Sequence, residues 1–225
     1  MMIGLLNEKP LHASLKEWLA GPDDQVEVPV EGYVIDLIQN GQLLEIQTGN
    51  FASIKTKLKS LIQKYPVRLI YPIPREKWII KLEKETGSGS TRRKAPGKGR
   101  AEDLFREMVS FPQLLAEPNF SLEVLFISEE EVRRFDENRA WRRRGWVIEE
   151  RRLLEVMDRQ VFETPADWRA LLPEEFSEFT ARELAAELKI HLRLAQKMAY
   201  CLRKVGVIER IGNKSRAYLY QVTEP

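Results

Sequence analysis

The stretch "IDLIQNGQLLEIQTGNF", Ile35 to Phe51, decides how the N-terminal half folds. Two apolar runs flank Asn40-Gly41, a pair suited to a two-residue type I′ hairpin because both central residues must take positive φ. With those two as the loop, cross-strand partners have residue numbers that sum to 81. Gln39 is then expected opposite Gln42, Ile38 opposite Leu43, and Asp36 directly opposite Glu45 on the same face. Glu45 and Gln47 are two apart on one strand, so Gln47 shares that face. Two carboxylates and an amide thus converge on one spot of an otherwise apolar sheet.

Two anions placed opposite each other repel, and burial raises the cost. A divalent cation between them removes that penalty. Mg²⁺ (or Mn²⁺) suits such a site, because Mg²⁺ takes hard oxygen ligands and is commonly held by one or two carboxylates plus phosphate oxygens. The same pattern also reads as sheet-edge acids neutralised by Lys or Arg from a neighbouring element.

Outward from the hairpin, "LHASLKEWLA" sets Leu11, Leu15, Trp18 and Leu19 at helical spacing before Gly21-Pro22. "VEVPVEGYVIDLIQ" and "QLLEIQT" read as strands. "ASIKTKLKSLIQKY" places Ile54, Leu58, Leu61 and Ile62 on one helical face, and "VRLIYPI" and "KWIIKLE" read as two more strands. The order is that of an α/β unit around a small mixed sheet.

Helix, strand with Asp, hairpin strand with Glu-x-Lys, helix and strand is the core of the PD-(D/E)XK nuclease superfamily, which residues 1–85 resemble. "VID" supplies Asp36, and "EIQ" supplies Glu45 and, in the usual lysine place, Gln47. The resemblance implies a restriction-endonuclease-like fold in which Asp36 and Glu45 bind Mg²⁺. An acid on the first helix often completes such sites, and Glu8 or Glu17 fills that part, with Glu8 preferred. Gln47 departs from the pattern, since it carries no positive charge. A lysine from the following helix, Lys55 or the nearby Lys57, is the substitute, with Lys55 assigned to the catalytic set. An intact Asp36 and Glu45 imply phosphodiester hydrolysis, with Gln47 orienting water; the alternative is a degenerate core that binds DNA without cutting.

"ETGSGSTRRKAPGKGR", residues 86–100 with its first Glu85, is expected to be a basic flexible linker or mobile loop. Residues 101–179 are expected to form a connecting α+β region: a helix in "AEDLFREMVSFPQLL", a strand in "FSLEVLFI" followed by an acidic segment, then "WRRRGWVIEERRLLEV", a basic turn and an amphipathic stretch. In residues 180–225, Thr180 and Glu183 form a capping box before "ARELAAELKI". A longer helix, "LRLAQKMAYCLRKVG", ends at Gly206, and a hairpin follows with its tip at Gly212-Asn213-Lys214.

This last segment resembles the winged form of the helix-turn-helix, which implies a recognition helix over Leu192–Val205. Candidate nucleic-acid contacts are Arg193, Gln196, Lys197, Arg203 and Lys204 on that helix, and Arg210, Asn213, Lys214 and Arg216 on the wing. Winged helices also serve as interaction and dimerisation modules, so the reading admits a homodimer.

The formal net charge of +2 hides a segregation. Residues 86–100 hold five basic groups and no acid, 101–179 eleven against nineteen, and 180–225 nine against four. Two basic zones around an acidic middle point to a polyanion partner, DNA. With Cys201 alone no internal disulfide is available, which fits a cytoplasmic setting. His12 and His191 are too few for a His-rich zinc site. No apolar run is long enough to span a bilayer, so no membrane partner is expected.

Overall fold

The computed structural model describes residues 9–82, 90–136 and 145–223. It is an α/β structure dominated by a large mixed sheet. Helix α1 (Pro10–Leu19) starts with Pro at its first position, where a missing N–H removes nothing from the helix. Strands β1 (Gln25–Val30), β2 (Tyr33–Gln39) and β3 (Gln42–Ile46) follow as an antiparallel meander. Asn40 and Gly41 have φ of 48° and 80°, and Gln39 pairs with Gln42, Ile38 with Leu43 and Leu37 with Leu44. The turn is the expected one, and the register holds as far as Leu37–Leu44.

A 3-10 turn (Phe51–Ile54) and helix α2 (Lys55–Leu61) carry the chain back to β4 (Val67–Leu82), which lies parallel to β3. Two strands were expected here. One 16-residue strand forms instead, with a bulge between Pro74 and Glu76 that accommodates the proline, which lacks a ladder donor. The basic stretch expected as a linker contributes β5 (Ser90–Lys94), an exposed strand on the far half of β4.

The segment expected as one helix over "AEDLFREMVSFPQLL" is broken into a 3-10 turn, the short helix α3 (Phe105–Met108) and a second 3-10 turn at Pro112. Strand β6 (Phe120–Phe135) then pairs parallel with β4, and β7 (Trp146–Phe162) pairs antiparallel with β6. The sheet order is β1-β2-β3-β4-β6-β7, so the elements of 101–179 complete the same sheet as the N-terminal strands. The acidic run Glu129–Glu131 is inside β6. Burying it is tolerable because Glu129 meets Lys77 at 3.0 Å and Arg151 at 2.6 Å, and Glu131 meets Lys77 and Arg133. Of "WRRRGW", residues 141–144 lie outside the described residues.

The two sheet faces bury separate cores, as strand alternation requires. Leu43, Leu69, Val124 and Phe126 join α2 (Leu58, Leu61) and the C-terminal helices in one cluster. Leu44, Ile70, Leu125 and Ile127 join Leu11 and Leu15 of α1 in the other. Trp18, expected on the apolar face of α1, is 46% exposed.

After α4 (Pro165–Arg169), short strand β8 (Glu178–Thr180) leads into α5 (Ala181–Glu187), α6 (Leu192–Val205) and the hairpin β9 (Ile208–Lys214)–β10 (Ala217–Val222). The capping box forms: Thr180 N–H donates to Glu183 Oε2 at 2.7 Å, and Glu183 N–H to Thr180 Oγ1 at 3.3 Å. Gly206 ends α6 with φ of 86°. The hairpin turn falls at Ser215-Arg216, two residues beyond the expected tip, because Lys214 already pairs with Ala217. The three strands order as β8-β10-β9. No helix among the described residues is long and apolar enough to cross a membrane.

Candidate active site

The hairpin ladder stops at Leu37–Leu44, one residue short of the carboxylates. Hydrogen-bonded pairs alternate along an antiparallel ladder, so after Gln39–Gln42 and Leu37–Leu44 the next would join Ile46 to Ile35. Ile46 N–H instead donates to Asp36 Oδ2 at 2.7 Å. The β1–β2 ladder skips the same level, passing from Val26–Leu37 to Val28–Ile35, and the skipped Glu27 has φ of 54°. Strand β2 rolls over here: Leu37 packs with the α1 cluster, while Ile35, two residues away, packs with the α2 cluster. Direct opposition of Asp36 and Glu45 in a regular ladder is therefore corrected, because the Asp36 carboxylate has taken the place of a backbone acceptor.

Each carboxylate is reached from a different helix. From α1, His12 Nε2 lies 3.2 Å from Asp36 Oδ2. One turn on, Lys16 donates to Glu27 Oε1 at 2.6 Å and braces the kinked level of β1. From α2, Lys57 Nζ donates to Glu45 Oε1 at 2.5 Å and to the Val34 carbonyl at 2.6 Å, a carbonyl near the point where β2 leaves β3.

Glu45 is buried, and its second oxygen, Oε2, has no hydrogen-bond partner. Glu123 Oε1 and Glu129 Oε1 share that condition by bond angle, yet Arg159 and Lys77 sit at ion-pair distance from them. Glu45 Oε2 has neither kind of partner among the described residues. Burial pushes the Glu45 carboxyl up to about 7, the Asp36 charge pushes the same way, and Lys57 pulls against both. Asp36 and Glu45 thus feel each other although the ladder between them is broken.

The remaining expected residues divide. Gln47 commits its amide nitrogen to the loop that follows β3, donating to the carbonyl of Gly49, to Asn50 O at 3.2 Å and to Ser53 Oγ at 3.3 Å. Lys55 makes no ion pair among the described residues; Lys57 is the lysine at Glu45, because α2 buries Leu58 and Leu61 and that packing turns Lys57 to the sheet. Glu8 lies outside the described residues. His12 was not expected at the site, and its only signal was helical spacing, three residues before Leu15 and four before Lys16.

In the C-terminal unit, Arg193, Gln196, Arg203 and Lys204 are exposed along α6. Two other candidates are engaged internally. Lys197 Nζ donates to the Arg106 carbonyl at 2.9 Å and ties α6 to α3. Lys214 donates to Glu183 Oε1 at 2.6 Å and, with the capping bonds, holds the Glu183 carboxyl down at about 2. Arg216 is exposed in the hairpin turn, and Arg210 stacks 3.8 Å over Tyr218.

Among the described residues no group of three or more His, Cys, Asp or Glu side chains is arranged to hold a metal ion. Two carboxylates with one unpartnered buried oxygen still match the hard donor set that Mg²⁺ takes when phosphate and water complete its shell.

Residues 9–163 match the family described as "Domain of unknown function (DUF8091)". That span opens just before α1 and closes after β7, the last strand of the large sheet. A protein of Treponema pallidum (strain Nichols), described as uncharacterized, is 28% identical over 228 residues, covering 100% of this chain and 89% of the relative. No solved structure gives a significant match.

Proposed function

This chain belongs to the DUF8091 family, and we propose that it is a metal-dependent phosphodiesterase acting on DNA, with a PD-(D/E)XK-like sheet and a C-terminal winged helix. The observation that carries the reading is the unpartnered Oε2 of Glu45, buried beside Asp36 and next to a lysine. Burying one carboxylate near another is costly unless something compensates. Function at a divalent-cation site accounts for that cost.

Asp36 and Glu45 would hold the ion, whose chemistry is to lower the pKa of water and polarise the scissile phosphate. His12 and the Ile46 N–H fix the Asp36 carboxylate in place. Lys57, anchored on Val34 O, presents a positive charge where negative charge builds up on the phosphate. Gln47 shapes the loop beside the site through its bonds to residues 49–53.

The winged-helix part of the reading is supported by the element order β8-α5-α6-β9-β10 and by the exposed polar face of α6. A groove of about 680 Å³ between α5, the start of α6 and the hairpin turn carries Arg182, Gln196, Arg216 and Tyr218. Cations and an amide of this kind suit phosphate neutralisation and base-edge contact.

A second reading, a DNA-binding protein with a silent nuclease core, is favoured by three existing contacts. Glu45 already has Lys57, Asp36 already has His12, and the Gln47 amide is committed to the loop. Two measurements separate them. Mn²⁺ binding, followed by water-proton relaxation, is expected for the wild type and lost in Asp36→Ala/Glu45→Ala. Salt-sensitive DNA binding without any Mn²⁺ binding would favour the silent core.

A further inference from the structure

A cavity of about 500 Å³ opens on the α2 side of the sheet, away from the carboxylates but joined to them through a short chain of contacts. Its floor is Tyr71, Ile73 and Pro74, at the point where β4 bulges. Its wall is the segment around Gly97 and Lys98, and its far rim is Arg106 of α3. The volume lies within the range of roughly 300–1,000 Å³ typical of small-molecule sites.

Three cations, Lys77, Lys98 and Arg106, and one carboxylate, Asp103, line the cavity, and Lys77 is already paired with Glu129 and Glu131. Lys98 is exposed and has no ion pair among the described residues. Arg106 spends only its Nε on Asp103, at 2.9 Å, and Asp103 is further occupied by the Arg100 N–H at 3.1 Å. Burial holds the Tyr71 hydroxyl up at about 12, so it stays a neutral donor at any physiological pH. Tyr71, Ile73 and Pro74 give the cavity an apolar lining beside these charged groups.

Its place in the fold matters more than its composition. Lys197 of α6 is bonded to the Arg106 carbonyl, on one side of the cavity. On the other side, Tyr71 packs edge-on against Phe51 with ring centroids 4.9 Å apart, and Phe51 belongs to the loop that leaves β3 just after Glu45 and Gln47. The Phe51 N–H in turn donates to Glu107 Oε2 at 3.1 Å. The cavity is thus linked by contacts to α6 on one side and to the loop after β3 on the other.

We infer that this cavity binds one nucleotide of the substrate strand, with the phosphate on Lys98 and Arg106 and the base against Tyr71, Ile73 and Pro74. The inference rests on the nuclease reading and adds to it a substrate class: a strand with an unpaired nucleotide near the scissile phosphate. A base inside a duplex cannot enter a side cavity without leaving its stack.

Gly97 supplies the test. A Cβ built there meets nothing within 4 Å and the backbone is not in the left-handed region, so Gly97→Leu fills the mouth without strain. Gly99 is unsuitable, since its Cβ would lie 2.5 Å from both Ile73 Cγ2 and Pro74 O. The full chain, free of metal, is titrated with dAMP, deoxyadenosine and inorganic phosphate while backbone amide shifts are followed. dAMP is expected to move the Tyr71, Gly97 and Gly99 amides and to bind about tenfold tighter than either fragment, ~1.4 kcal/mol. Gly97→Leu and Lys98→Glu are each expected to weaken dAMP about tenfold with an unchanged thermal midpoint, again ~1.4 kcal/mol. Phosphate binding as tightly as dAMP, no shifts with dAMP, or binding that ignores Gly97→Leu would each overturn the assignment. Because no metal or cleavage enters this readout, a chain that binds dAMP here but cuts no DNA would refute the nuclease reading separately.

Discussion

Asp36 and Ile46 are joined across the β2–β3 hairpin by a side chain where a backbone carbonyl belongs: Oδ2 accepts the Ile46 N–H at 2.7 Å. The carboxylate therefore stabilises the sheet and stands at the site at once. Asp36→Ala leaves that N–H without its acceptor and is expected to cost about 1–3 kcal/mol. Asp36→Asn keeps an acceptor oxygen and should cost less. Urea denaturation of both variants checks this, and equal losses would mean that the charge, and not the hydrogen bond, matters.

Glu45 gives the protein a pH dependence of defined sign. The folded chain holds this proton to about pH 7, whereas the ordinary carboxyl value is 4.5. Between those values the folded state binds more protons than the unfolded state, so stability falls as pH rises from about 4.5 through about 7. In metal-free buffer, Glu45→Gln should remove that decline. Denaturation of both forms at pH 5 and pH 8 reads it directly: the stability of the variant relative to wild type should rise between them. A constant difference would place Glu45 in a more polar setting than its burial indicates.

Lys57 reaches Glu45 and Val34 O together, which makes it the lysine of the site. Lys57→Met is expected to lower cleavage about a hundredfold, the scale of losing one charge-stabilising donor. Lys55→Met should leave the rate unchanged. Reversal of that order would return the role to Lys55.

Glu129 has its own structural task, independent of the site. It is fully buried, with Lys77 at 3.0 Å and Arg151 at 2.6 Å. Arg151 Nη1 also donates to Thr48 O at 3.3 Å, linking β7 to the loop after β3. Glu129→Ala removes the partner shared by Lys77 and Arg151, leaving Lys77 on Glu131 and Arg151 on the Thr48 carbonyl, and should cost about 1–3 kcal/mol. Denaturant unfolding measures the loss, and a change under about 1 kcal/mol would show that water reaches these cations readily.

The hairpin was legible in the sequence because its causes are local: Asn40-Gly41 sets the turn, and alternating apolar residues set the register. The capping box at Thr180 was legible for the same reason. The roll of β2 was not. It depends on a positive φ at Glu27 and on one side chain replacing one carbonyl, neither of which has a compositional signature. Strand β5 was hidden because its five residues are exposed and its order comes from distant partners, the β4 ladder and the Arg92–Glu130 ion pair. The acidic half of β6 was set apart from the strand before it because the cations that neutralise Glu129, Lys77 and Arg151, lie far away in sequence. Lys55 and Lys57 are two apart on a helix, so they point to different sides. Only the packing of Leu58 and Leu61 decides which one meets Glu45.

The central claim is tested most directly by cleavage of labelled single- and double-stranded DNA with Mg²⁺ or Mn²⁺, wild type beside Asp36→Ala/Glu45→Ala. The account predicts cutting by wild type that requires the ion and disappears in the double variant. A folded wild type that binds DNA in a salt-sensitive way yet cuts neither substrate with either ion would contradict it.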